Sequence, residues 1–136
     1  MKVIRPICCG MDVHKNLVVA TIATTDNSGI TQYNQASFST QNYDLLKLKN
    51  WLKQHHCFDA CMESTGKYWI PIFNLLEDEI NIYLTHPKYV KAIKGKKTDK
   101  KDSKWIAELF KLDFLKFSFI PSKPIRELRE LSRYRT

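Results

Sequence analysis

From Pro6 to Phe38 the sequence is patterned as strands are, and at Asn42 its apolar spacing changes to that of a helix. That change of period restricts the chain to folds in which sequential strands precede an alternation of strands and helices. Residues 6–12 (PICCGMD) form a short apolar run ending in an acid, and residues 17–24 (LVVATIAT) are β-branched and apolar. Asp26-Asn27-Ser28-Gly29 is strong turn chemistry ahead of a third strand at about 30–38. Leu45, Leu46, Leu48, Trp51 and Leu52 then recur at helical spacing from Asn42 to about Gln54. Phe58 to Met62 reads as a buried strand ending at Glu63, Trp69 to Leu76 as a second helix, and residues 80–84 (INIYL) as a fifth strand. A basic connector leads to a helix from about Thr98 to Leu112, with Thr98 as its N-cap. Residues 114–120 (FLKFSFI) form either a further strand or an extended packing segment. Three meander strands followed by strand–helix alternation predict an α/β domain, a mixed sheet with helices on both faces.

The length of 136 residues is about that of one domain and suffices to close a single core. Hydrophobic residues at 43% and aromatic residues at 12% argue against a disordered segment. No apolar run approaches the ~20 residues that span a bilayer. Asp12 also interrupts the N-terminal apolar stretch before a signal-peptide core can form, so a cytoplasmic protein without a membrane partner is expected. Four cysteines (Cys8, Cys9, Cys57, Cys61) are too few and too irregular for a secreted disulfide framework. A zinc site drawn from His55, His56, Cys57 and Cys61 would crowd every ligand into one strand approach, so buried reduced thiols are the better reading.

Charge is divided unevenly. Residues 1–84 carry seven Lys/Arg and eight Asp/Glu, a net of −1, whereas residues 85–136 carry fifteen and six, a net of +9. Between Thr85 and Lys104 alone there are eight lysines and two aspartates. Such asymmetry points to a polyanion partner on one part of the surface. A generic lysine run is more often a solvated loop, but here the lysines flank two aspartates that have their own claim to function.

Asp12 and Glu63 each end an apolar run, and in α/β sheets residues at strand ends line the functional crevice. One such acid is unremarkable, since strand-end carboxylates often cap loops. Two on strands expected to be neighbours are harder to dismiss. In Thr98-Asp99-Lys100-Lys101-Asp102-Ser103-Lys104-Trp105-Ile106 the aspartates stand three apart on one helix face, continued by Trp105, Ile106 and Leu109. The lysines take the other faces. Converging carboxylates repel unless cations neutralise them, and hard oxygen donors suit Mg²⁺ or Mn²⁺. A pair of such ions is the recurrent device for in-line attack on a phosphodiester. The competing reading has Asp99 capping the helix and Asp102 paired with a lysine.

These residues also carry a resemblance. Gly10-Met11-Asp12-Val13-His14-Lys15 resembles the G-[IM]-D-V-H-K opening of the DEDD transposases, the insertion-sequence "one-ten" family. Met62-Glu63-Ser64-Thr65-Gly66 is similar to its E-[SA]-T-G segment, and Lys97-Thr98-Asp99-Lys100-Lys101-Asp102-Ser103 to its K-T-D-x-x-D-A motif. Ser103 stands where alanine is usual, a small change that should be tolerated. The resemblance implies an RNase H-like domain similar to Holliday-junction resolvases, with Asp12, Glu63, Asp99 and Asp102 as catalytic residues holding two Mg²⁺ or Mn²⁺ ions. It implies DNA transposition and recombination in prokaryotes, at the nucleoid, with DNA as partner. Some members are guided by a structured RNA, and work on two duplexes makes a homo-oligomer of the full-length protein reasonable.

Family members carry a further C-terminal domain supplying a serine, and none of Ser64, Ser103, Ser118, Ser122 or Ser132 matches its motif. Residues 1–120 are therefore expected to be the catalytic domain and 121–136 the start of a helical linker, alone unable to complete recombination. Ile125, Leu128, Leu131 and Tyr134 begin a helix that reaches Thr136 without a stop signal, so the natural protein is expected to continue. His14, Lys15, Lys94, Lys96, Lys97, Lys100, Lys101 and Lys104 are the candidates for nucleic-acid contact, lysine serving as a point charge on phosphate. For His14 a hydrogen-bonded loop histidine is an equal reading. The alternatives at the level of function are a stand-alone resolvase-like endonuclease and a non-catalytic nucleic-acid-binding module.

Overall fold

A computed structural model describes residues 2–64, 66–87 and 102–120 of the chain. Its strands are β1 (Ile7–Val13), β2 (Leu17–Thr25), β3 (Thr31–Ser39), β4 (Asp59–Ser64) and β5 (Asn81–Thr85). The helices are α1 (Asn42–Gln54), α2 (Trp69–Leu76) and α3 (Asp102–Lys111). One sheet holds all five strands in the order β3-β2-β1-β4-β5. The β1–β2 and β2–β3 pairs are antiparallel, while β1–β4 and β4–β5 are parallel. The β2–β3 turn is closed by Gly29 at φ 88°, where Asp26 Oδ1 accepts from the Ser28 and Ile30 amides.

β1 is central and covered on both faces, which is why its sequence is a nearly continuous apolar run rather than an alternating one. Cys9, Met11 and Val13 face a core built with Leu45, Leu48 and Leu52 of α1 and Ile72, Phe73 and Leu76 of α2. Cys8 faces the opposite layer, where Ile106, Ala107, Leu109 and Phe110 of α3 pack on Ala23 and Cys61. Helices therefore cover both faces, as expected. All four cysteines are buried and unpaired, in accord with the thiol reading.

The two strands that carry the acids run further than expected. β1 continues to Val13 and β4 to Ser64, so Asp12 and Glu63 lie within the ladder, one residue from its end. The extra length comes from mutual pairing, Asp12 with Glu63 and Val13 with Ser64. Residues 114–120 form no strand. They run beside β5, with the Ser118 amide donating to the Leu84 carbonyl at 2.7 Å and Thr85 Oγ1 donating to the Lys116 carbonyl at 2.9 Å. Burial of Leu115 and packing of Phe117 against the α3 layer set this path. The expected first residues of the third helix, 98–101, and the helix from Ile125 lie outside the described residues. Among the described residues no helix is long and apolar enough to cross a membrane.

Candidate active site

The site grows from a parallel pair of strands. In a ladder, register partners project from the same face, so the Asp12–Glu63 pairing sets two carboxylates side by side on the α3 face of the sheet. The third arrives on α3, whose first residue is Asp102. α3 can seat this low on the sheet because β1 has a glycine beneath it. A Cβ at Gly10 would lie 2.3 Å from the Ala107 amide nitrogen and 2.5 Å from the Ser103 carbonyl oxygen, so no side chain fits there. The helix backbone rests directly on the strand backbone two residues before Asp12.

Asp12 is largely enclosed, its side chain 15% exposed, and its Oδ2 lies 3.0 Å from Nε2 of the more exposed His14. Burial holds the Asp12 carboxyl above its usual range; His14 opposes the rise and the nearby Asp102 carboxylate adds to it. An enclosed acid facing a second acid is a place where positive charge is favoured. Among the described residues no group of three or more His, Cys, Asp or Glu side chains is gathered tightly enough to hold a metal ion. The donor chemistry nonetheless fits one: Asp12, Glu63 and Asp102 are all carboxylates, the ligand type of Mg²⁺ and Mn²⁺. Asp99, the fourth expected ligand, lies outside the described residues, as do Lys94, Lys96, Lys97, Lys100 and Lys101.

Of the remaining candidates, Lys15 follows β1, and its carbonyl accepts from Thr40 Oγ1 at 3.1 Å. Lys104 projects from α3 with its Nζ 4.4 Å from the centroid of the Tyr33 ring, a cation–π contact with β3. Trp69, on α2, packs edge-on against Phe73. Ser103, buried at 1% exposure, meets Thr21 of β2 hydroxyl to hydroxyl at 2.7 Å. Sequence reasoning did not identify Gly10, Thr21 or Gln35, whose Nε2 donates to both hydroxyls, as contributors to this seat. For Gly10 the signal was present, since an isolated glycine inside a strand marks a close backbone approach.

Comparison with known proteins identifies the fold. The Holliday-junction resolvase RuvC from Thermus thermophilus superposes with a TM-score of 0.55 at 12% identity, covering 82% of this chain and 99% of that one. The same protein solved with a Holliday junction substrate gives 0.54 at 10% identity, with 82% and 99% covered. The fowlpox virus Holliday junction resolvase gives 0.50 at 12% identity, covering 79% of this chain and 96% of that one. The fold is thus RNase H-like. No curated protein matches the sequence. A family model described as a transposase, of the DEDD insertion-sequence 110 type, matches residues 9–136.

Proposed function

Since the chain belongs to the DEDD transposase family, we propose that Asp12, Glu63, Asp99 and Asp102 hold divalent metal ions for DNA strand cleavage and transfer. The observation that carries this is the register pairing of Asp12 with Glu63 on the face where α3 delivers Asp102. Bound there, Mg²⁺ or Mn²⁺ would neutralise phosphodiester charge and favour attack in line with the leaving oxygen. The chain's own residues supply the frame. β1 and β4 fix two carboxylates by main-chain pairing, Gly10 admits the helix that brings the third, and His14 holds Asp12 by hydrogen bond. Lys15 and Lys104, with the lysines at 94, 96, 97, 100 and 101, would bind the phosphate backbone without reading sequence. The likeness to resolvases suggests branched DNA as the substrate class. Family membership supports a structured guide RNA and a homo-oligomer of the full-length protein as further partners.

The test is cleavage of branched DNA by the full-length protein with Mg²⁺, alongside Asp12→Asn and Asp102→Asn variants shown to be folded. Both variants should lose cleavage while keeping DNA binding. A non-catalytic binding module would instead show no metal-dependent cleavage in the parent and no difference in the variants.

A further inference from the structure

We propose that Thr21, Gln35 and Ser103 are positioning residues, a hydrogen-bonded latch that sets how the first turn of α3 presents Asp102 to Asp12. The three come from β2, β3 and α3. Thr21 Oγ1 and Ser103 Oγ are 2.7 Å apart, and Gln35 Nε2 donates to both, at 3.1 Å and 3.2 Å. Thr21 and Ser103 are each 1% exposed. Thr21 is also the register partner of Gly10, so the latch closes beside the point where helix and strand backbones touch.

Packing alone would not need it. Contact across Gly10 fixes the distance between α3 and the sheet, and the Tyr33–Glu108 and Lys111–Thr31 bonds hold its C-terminal half, but the apolar contact of its first turn is non-directional. A hydrogen bond between two enclosed hydroxyls, backed by a side-chain amide, is directional. Ser103 is the residue next to Asp102, and neighbours on a helix differ by about 100° in azimuth. Fixing the Ser103 side chain toward Thr21 therefore fixes the direction in which Asp102 leaves the helix. The latch touches neither metal nor DNA and acts only through that aspartate. Partners hydrogen-bonded to a metal ligand typically change metal affinity ten- to a hundredfold when removed, and the latch, acting through the backbone next to Asp102, should fall at the low end of that range. The inference rests on the metal-binding reading of Asp12, Glu63 and Asp102 made above.

The experiment is a Mn²⁺ titration of the folded protein by electron paramagnetic resonance, with thermal melting recorded on the same samples. Alanine is usual here in the family, but in this chain Thr21 and Gln35 are built to meet a hydroxyl, so Ser103→Ala, like Thr21→Val, should weaken Mn²⁺ binding about tenfold. The double variant should be little worse than Ser103→Ala, because that substitution already removes both bonds that Ser103 makes to the sheet. Thr21→Ser, which keeps the hydroxyl, should restore parental affinity. If Thr21→Val does not fold, Ser103→Ala alone decides, since it removes one atom and leaves Gln35 bonded to Thr21. A parent that binds Mn²⁺, with Asp102→Asn abolishing binding and Ser103→Ala leaving it within twofold, would reduce the latch to a structural contact and overturn the proposal. A parent that binds no Mn²⁺, or an Asp102→Asn variant that binds like the parent, would remove the metal reading and the latch with it.

Discussion

Two residues of β1 do unlike work a few ångströms apart. Gly10 matters for what it lacks: a methyl group there would stand 2.3 Å from the Ala107 nitrogen, and backbone cannot swing aside as a side chain does. Gly10→Ala should destabilise the fold by about 1–3 kcal/mol or more, measured by urea unfolding. It should also weaken Mn²⁺ binding, since α3 must lift. Asp12 matters for what it carries. Its carboxyl titrates above its usual 3.8, so the folded state holds its proton more tightly than the unfolded chain does. Stability from this group therefore falls as pH rises from about 3.8 through the raised folded value, and the penalty persists at neutral pH. Asp12→Asn should raise the melting temperature of metal-free protein at pH 7. It should also abolish the gain of about 2.7 kcal/mol that a ligand at a hundred times its Kd confers on the parent. The place of Asp12, at the end of an apolar run, was legible. For Gly10 the strand glycine signalled a close approach, but not its partner, which is a helix about a hundred residues away in sequence.

At the scale of elements, α3 is held to the edge of the sheet by a polar cluster as well as by its apolar stripe. The Tyr33 hydroxyl of β3 donates to Glu108, whose Oε1 also lies 2.9 Å from the buried Lys111 Nζ. Lys111 in turn donates to Thr31 Oγ1 at 3.1 Å. Burial works to raise the Glu108 carboxyl, but the Tyr33 and Lys111 bonds outweigh it and hold the group below its usual 4.5. A carboxyl depressed in the folded state contributes stability above its usual value and loses it as pH falls through the folded one. Unfolding free energy should accordingly drop below about pH 4.5, with part of that slope absent in Glu108→Gln, which should itself cost about 1 kcal/mol at neutral pH. The elements were readable in the sequence where period was strong, as for α1, α2 and the meander. The path of 114–120 was ambiguous because an apolar segment reads alike whether it joins a ladder or packs alongside one. Here the side chains of Leu115, buried, and Phe117, partly buried, decide by packing on the α3 layer, while one main-chain bond meets β5. The Thr21–Gln35–Ser103 meeting was beyond sequence reading, since it depends on the register of three elements together.

Across the whole molecule, charge and fold divide the labour. The sheet-forming part, residues 1–84, is nearly neutral, and the basic excess enters with residues 85–136, which include α3. Backbone phosphate contact by lysines predicts DNA affinity that falls steeply with salt, log K against log salt descending by about 0.9 for each phosphate neutralised on duplex DNA. Lys104→Ala in the full-length protein should lower that slope by about 1, read by fluorescence anisotropy; a flat dependence would exclude this mode. The RNase H-like architecture was legible as a sequence of periods, and the carboxylate set as acids at strand ends and on one helix face. What joins them is long-range pairing, Asp12 beside Glu63 and α3 over Gly10. The most direct measurement is a crystal soaked in Mn²⁺, read by anomalous scattering at the β1–β4–α3 junction. One or two peaks bridging the carboxylates of Asp12, Glu63 and Asp102 are the predicted result. No peak there, with the same side chains ordered and turned to solvent, would contradict a metal-dependent strand-cleaving site.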